Sequence, residues 1–216
     1  MRALVVADGE PQPSDLELLA TADMVVAADG GAAWAHAAGR VPDLLVGDLD
    51  SARPELVADL EAQGTRIERH AVDKDESDTE LAVARALATG ADEVVLVAAL
   101  GGKRVDHGIA NLLLLAVPEW HARLRIVSGE AVVRALRGPD RLRLDSAVGD
   151  LVTLLPLGDD AEGVRTEGMR YPLHGERLRG GRARGLSNVV EREGASLSLE
   201  RGTLLVIEIK TGGEPR

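Results

Sequence analysis

The residues best placed to do chemistry are carboxylates. An apolar run, Leu44-Leu45-Val46-Gly47, leads into Asp48-Leu49-Asp50-Ser51. If the run is a strand, the spacing of two turns Asp48 and Asp50 toward the same side at its carboxyl end. Acids so placed can cradle Mg2+, which takes one or two protein carboxylates together with waters and substrate phosphates. The plainer alternative is a solvated strand-to-loop turn, where Asp is common. A second cluster, Asp73-Lys74-Asp75-Glu76-Ser77-Asp78, precedes a helical pattern. Its acids repel one another unless a cation or water absorbs the charge, although Ser77 and Glu80 also fit a capping box and acids favour a helix N-terminus. Two such loops at one sheet edge can supply three carboxylates around one or two ions.

A third stretch, Leu100-Gly101-Gly102-Lys103-Arg104-Val105-Asp106-His107, carries an apolar run through two glycines and two bases into a new helix. That arrangement brings backbone N–H groups and positive charge to a phosphate. Asp29-Gly30-Gly31 repeats the pattern after an earlier apolar run, without the bases. A tight turn explains either Gly pair equally well. Neither follows GxGxxG or GxxxxGK[ST], so a dinucleotide fingerprint and a Walker-type loop are both absent. His107 alone reads as a capping or packing residue.

These segments need a scaffold that brings them together. Runs at 4–7, 24–28, 44–46 and 94–99 read as strands apolar on both faces, separated by helical patterns at 14–21, 31–38, 54–62, 78–88 and 106–117. Ser14 with Glu17 and Ser77 with Glu80 fit capping boxes, and Pro54 suits a first helical turn. Such alternation predicts an α/β domain over 1–129, a parallel sheet with helices on both faces and ligands at the strands' carboxyl ends. From residue 130 the texture changes to short alternating segments at 131–136, 141–144, 151–155, 197–199 and 204–209, broken by glycine-containing turns. That predicts an all-β sandwich over 130–216. The Gly- and Arg-rich stretch 175–185 reads as a mobile surface loop and 211–216 as a disordered tail.

Composition removes several classes of function. Residues 1–129 hold 22 acids against 11 bases and 130–216 hold 14 of each, so the net charge of −11 lies wholly in the first part. An acidic face repels polyphosphate backbones, and with Trp34, Trp120 and Tyr171 as the entire aromatic set there is little to stack on nucleic-acid bases. No nucleic-acid partner is expected. No apolar run reaches the ~18 residues of a membrane span, and the first acid, Asp8, comes too early for a secretory leader, so a cytoplasmic protein with no membrane association is expected. With no cysteine, a metal must be held by oxygen or imidazole.

In order along the chain, Ala28-Asp29-Gly30-Gly31-Ala32, Pro42-Asp43 with Gly47-Asp48-Leu49-Asp50-Ser51, Asp73-Lys74-Asp75-Glu76-Ser77-Asp78, and Gly101 to His107 with Asn111 resemble the thiamine pyrophosphokinases. Further on, Gly168-Met169-Arg170-Tyr171-Pro172-Leu173 and Gly185-Leu186-Ser187-Asn188 look like that family's thiamine-binding segments. The resemblance implies an α/β catalytic domain, a β-sandwich, a homodimer with active sites between subunits, and Mg2+-dependent transfer of pyrophosphate from ATP to thiamine. Carried over, it makes Asp48, Asp50 and Asp78 the metal ligands, with Asp75 and Lys74 as further catalytic residues. Asp29, Gly30, Gly31, Gly101, Gly102, Lys103, Arg104 and Asp106 fall beside ATP and its phosphates. Tyr171, Ser187, Asn188 and Ser77 fall around thiamine. The chain departs from the family pattern in having Leu49 where Phe is common, Ser77 where Thr is usual and Val189 where an acid is frequent. Two rival readings are transfer to another alcohol such as a hydroxymethylpterin and an Asp-x-Asp phosphatase, though that phosphatase pattern places Thr or Val where Ala52 stands.

Overall fold

Apolar, largely β-branched runs form the centre of the first of two compact units, Met1–Gly129 and Glu130–Arg216, in a computed structural model that describes residues 1–120 and 123–212. In the first unit the strands are β1 (Arg2–Val6), β2 (Met24–Ala28), β3 (Leu44–Gly47), β4 (Arg66–Arg69), β5 (Glu93–Val97) and β6 (Arg123–Ser128). They pair in parallel in the order β6-β5-β1-β2-β3-β4. The helices are α1 (Pro13–Glu17), α2 (Gly31–Ala37), α3 (Pro54–Ala62), α4 (Asp78–Ala88) and α5 (Val105–Leu114). Side chains alternate across the sheet, so Leu4, Val6, Val25, Ala27, Leu45, Val95 and Val97 line one face and pack with residues of α2, α3 and the 3-10 turn Leu18–Thr21. Helix α4 packs on β1, β2 and β3 without entering those clusters, and covers the other face through Ala82, Val83 and Ala86. The strand order reverses between β1 and β5, and open parallel sheets bind ligands outside the strands' carboxyl ends at such a point.

Local structure departs from the sequence reading in definite ways. The first helix ends at Glu17 and continues only as a 3-10 turn, and Ser14 lies inside it rather than capping it. Pro13 at the first helical position presets the turn, and the buried Asp15 carboxylate accepts the N–H groups of Gln12 at 2.9 Å and Gly129 at 2.8 Å. The expected cap at Ser77 is present, with its hydroxyl oxygen accepting the N–H of Glu80 at 3.1 Å. Strand β5 stops at Val97, not residue 99, because Ala98 turns to φ 52.

The second unit is all antiparallel: β7 (Ala131–Arg137), β8 (Asp140–Arg143), β9 (Leu151–Pro156), β10 (Ala161–Glu167), β11 (His174–Leu178), β12 (Asn188–Val189), β13 (Ser196–Leu199) and β14 (Thr203–Ile209). They form two four-stranded layers, β12-β9-β14-β7 and β11-β10-β13-β8. Leu136, Val152, Leu154, Val164, Leu178, Leu197 and Val206 fill a shared core, as in a sandwich. Part of the stretch read as a loop, 175–178, belongs to strand β11, whose Leu178 is buried in that core. In the tail, Thr211 is anchored by its N–H to Asp150 Oδ1 at 3.0 Å, while 213–216 lie outside the described residues.

Candidate active site

Three carboxylates from three elements meet at the carboxyl edge of the first unit's sheet. Asp29 follows β2, Asp48 follows β3 and Asp78 opens α4, and each offers an oxygen within 4.8 Å of the others. Asp29 gets there by a left-handed turn, φ 43, a conformation that Asp tolerates better than most residues. Gly47 makes the approach possible, since a Cβ there would lie 3.1 Å from Asp29 Cβ and 3.2 Å from Asp78 Cγ. Asp29 is 6% exposed; its Oδ2 accepts the N–H of Ser51 at 3.3 Å, while its buried Oδ1 has no hydrogen-bond partner. Burial pushes its carboxyl above the usual range, Ser51 opposes the shift, and the charges of Asp78 and Asp50 add to it. An orphaned buried oxygen among three carboxylates, with no sulfur or nitrogen donor in the group, fits a hard divalent cation.

Lys74 enters the same group. Its Nζ lies 3.1 Å from Asp78 Oδ1 and 3.7 Å from Asp48 Oδ2, and donates to the carbonyl of Ala71 at 3.1 Å. Burial favours loss of its proton, but Asp78, Asp48 and Asp29 outweigh that and hold the ammonium above its ordinary value. The loop that carries Lys74 is fastened on both sides. His70 donates its N–H to the carbonyl of Gly47 at 2.9 Å, and Glu68 Oε1 meets His70 Nε2 at 2.8 Å and Arg85 Nε of α4 at 2.6 Å. Glu68 is drawn below the ordinary carboxylate range, because the hydrogen bonds and charges of His70 and Arg85 overcome its burial.

The other acids singled out in the sequence are arranged differently. Asp50 is exposed, outside the group of three, with its Oδ1 accepting from the Ser51 hydroxyl at 3.1 Å and its N–H donated to Asp48 Oδ1 at 3.1 Å. Asp75 is exposed as well. Asp8, which the sequence reading passed over, stands at the end of β1 with its carboxylate against Gly30, where a Cβ would come within 2.1 Å of it. Burial raises the Asp8 carboxyl, the charge of His107 lowers it, and that of Asp50 raises it again. A lone Asp-Gly after an apolar strand was the only available signal for it.

The Gly-Gly turns behave as tight connections. Gly30 and Gly31 begin α2, and a Cβ on Gly31 would collide with the carbonyl of Val6 at 2.1 Å. Gly101 and Gly102 take φ 79 and 78, then Lys103 and Arg104 project to solvent. Arg104 is gripped in two-point fashion by Asp106, Nε to Oδ1 at 3.0 Å and Nη2 to Oδ2 at 2.7 Å. The guanidinium pulls the Asp106 carboxyl down to about 2. Behind this loop, Asn111 donates to the carbonyl of Ala99 at 2.8 Å.

In the second unit Tyr171 presents its ring to solvent, 64% exposed. Its backbone is held by the buried Asn188, whose Oδ1 accepts the Tyr171 N–H at 3.0 Å and whose Nδ2 donates to the Tyr171 carbonyl at 2.8 Å. Asn188 thus spends most of its amide on the backbone beneath the ring. Ser187 beside it is exposed, at φ 55, with its N–H donated to Thr153 Oγ1 at 3.0 Å. Ser77 in the first unit is engaged as the cap of α4.

Among known proteins, residues 16–128 match the family model described as "Thiamin pyrophosphokinase, catalytic domain". Residues 141–204 match "Thiamin pyrophosphokinase, vitamin B1 binding domain". Thiamine pyrophosphokinase 2 of Oryza sativa subsp. japonica is 26% identical over 179 residues, covering 79% of this chain and 66% of that protein. The chain therefore spans about two thirds of that relative's length. Thiamine pyrophosphokinase of Bacillus subtilis is 22% identical over 212 residues, 96% of this chain and 98% of its own. The crystal structure of the B. subtilis protein shares the fold with a TM-score of 0.86 at 21% identity, over 98% of this chain and all of that one. A thiamin pyrophosphokinase family protein from Enterococcus faecalis superposes with a TM-score of 0.84 at 25% identity, over 97% and 99% of the two chains. Two family models matched in the family's domain order account for both units of the fold, and the chain belongs to the thiamin pyrophosphokinase family.

Proposed function

We propose that the chain is an ATP-dependent thiamine diphosphokinase. The hydroxyl oxygen of thiamine attacks the β-phosphorus of ATP, and the bond from that phosphorus to the oxygen bridging it to the α-phosphorus breaks. Thiamine diphosphate, AMP and a proton result. The observation that carries this reading is the convergence of Asp29, Asp48 and Asp78 beside Lys74 at the carboxyl edge of a parallel sheet. Asp29, Asp48 and Asp78 would hold Mg2+, with Asp50 at hand as a further ligand, and the ion would neutralise the polyphosphate's charge. Phosphoryl-type transfer asks little covalent work of a protein, so positioning and electrostatics supply the rate.

The chain's own groups do the rest. Lys103 and Arg104 meet the polyphosphate on the loop opened by Gly101 and Gly102, and Asp106 aims the Arg104 guanidinium by its two-point grip. Asp29, Gly30 and Gly31 lie beside the nucleotide, and the absence of Cβ atoms at the two glycines lets this turn pack against the Asp8 carboxylate and the Val6 carbonyl. Tyr171 offers its exposed face to the cationic thiazolium, an attraction of about 0.5–2 kcal/mol. Ser187 contributes its hydroxyl to thiamine, and Asn188 holds Tyr171 in place. The family match does not favour the phosphatase or the hydroxymethylpterin acceptor. The protein is read as a cytoplasmic homodimer, and an exposed apolar stripe on α5, Val105, Ile109 and Leu113, supports the second copy.

Incubating the purified chain with ATP, Mg2+ and thiamine tests the reaction. AMP and thiamine diphosphate in equal amounts are expected. ADP in place of AMP overturns diphosphoryl transfer, and phosphate released without thiamine overturns the kinase reading.

A further inference from the structure

The loop that leads into α4 sorts its charges in an unexpected sense. Its acids Asp73, Asp75 and Glu76 face solvent, whereas the one base, Lys74, turns inward with its side chain 14% exposed. An ammonium gives up water only where opposite charge replaces it, and here Asp78 Oδ1 stands at 3.1 Å and Asp48 Oδ2 at 3.7 Å. Asp78 Oδ1 is buried and accepts no hydrogen bond, so the ion pair with Lys74 is its compensation. Asp29 Oδ1, on a residue 6% exposed, is left with none. One ammonium therefore answers two of three carboxylates, and the third remains aimed into the same group.

We propose that Lys74 is a built-in rival of the divalent cation: its ammonium and the metal compete for the carboxylates of Asp48 and Asp78, and arrival of the metal frees the ammonium toward an anionic ligand. A hard cation binds carboxylate oxygen at about 2.1 Å and engages all three acids, closer and more completely than an ammonium does. A dication seated there also repels a neighbouring ammonium. The lysine stem is long and flexible with three rotatable donors, and its tether to the Ala71 carbonyl is a single hydrogen bond, so release needs no movement of the loop backbone. That the freed ammonium meets polyphosphate rests on the diphosphokinase reading; the competition itself does not.

The test uses the full chain without nucleotide and Mn2+ as the probe, with binding followed by electron paramagnetic resonance and stability by thermal unfolding. Lys74→Met keeps the stem and removes the charge, and should bind Mn2+ about tenfold more tightly than the unaltered chain, while Lys74→Arg stays within about threefold. Without Mn2+, Lys74→Met should melt lower, and saturating Mn2+ should raise its melting temperature by more than it raises that of the unaltered chain. Under saturating Mg2+, AMP formation by Lys74→Met should fall, so that metal affinity and turnover move in opposite directions. Lys74→Gln is read in the same way should the Met variant not fold. Equal or weaker Mn2+ binding by the neutral variants overturns the competition, provided Asp78→Asn abolishes binding in the unaltered chain. Mn2+ binding that survives Asp78→Asn overturns both the competition and the metal site. Failure of the unaltered chain to form AMP, with the affinity shift present in Lys74→Met, overturns the diphosphokinase reading and leaves the competition standing.

Discussion

Asp29 and Asp106 show opposite uses of a carboxylate. Asp29 is buried, orphaned at one oxygen and pushed above the ordinary range, the state of an acid whose charge awaits a partner. Asp106 is exposed and pulled down to about 2 by Arg104, the state of an acid whose partner is already present. The sign of the second effect is definite. A folded-state value below the ordinary 3.8 means that the pair favours the fold above that pH and that the contribution fades as pH falls through about 2. Solvent at both side chains makes the pair's weight in stability small, so its use is to orient Arg104. Carbon-detected NMR titration should place the Asp106 carboxyl midpoint near 2, and Arg104→Gln should return it toward 3.8. A midpoint unchanged by that substitution would remove Arg104 as the cause.

At the scale of elements, strain collects where strands end. Asp29 after β2, Leu49 after β3 and Ala98 after β5 all carry positive φ without being glycine, and all lie at the sheet's carboxyl edge. Such conformations cost about 1–3 kcal/mol each and persist where the surroundings over-determine them. Gly47 is what lets two of these turns close on one another. Gly47→Ala should push Asp29 and Asp78 apart, weakening Mn2+ binding about tenfold and costing about 1–3 kcal/mol in urea unfolding. Gly64→Ala is the control, since Gly64 has φ +101 with nothing within 4 Å of its added Cβ, so it adds backbone strain without crowding and should leave Mn2+ affinity unchanged. Equal affinity in both variants would sink the role of Gly47. The same elements show what a sequence reveals. Buried strands such as Met24–Ala28 announce themselves as apolar runs, and the α4 start by its cap. Edge strand β4, Arg-Ile-Glu-Arg, has no such run, and β6 alternates Arg with apolar residues, so both escape. Strand β10 is hidden by register shifts between Ala161 and Arg165. Asp48 and Asp78 were legible as acids at element ends. The place of Asp29 beside them was not, because it depends on a left-handed turn and on the missing side chain of Gly47.

For the whole molecule, the decisive feature is what α5 leaves uncovered. Its Asn111 and Leu114 turn inward, and Val105, Ile109 and Leu113 lie outward at 71%, 55% and 52% exposure. Steps of four place the three on one side of the helix, so they form a stripe rather than scattered residues. A stripe of this kind, which begins next to the loop that carries Lys103 and Arg104, favours burial against another surface. Charge sets the terms of that burial. Two copies would bring together units with 22 acids against 11 bases each, so apolar contact must overcome like-charge repulsion, and added salt should tighten the association by screening it. On the two-copy proposal the unaltered protein should give twice the single-chain mass of 22.8 kDa in light scattering, and Ile109→Glu, which places a further negative charge in the stripe, should leave a single chain. AMP formation should fall in parallel, because the family resemblance implies active sites between subunits. Retention of the two-chain mass by Ile109→Glu would move the interface elsewhere, and a single-chain mass with full activity would end the case for a working dimer.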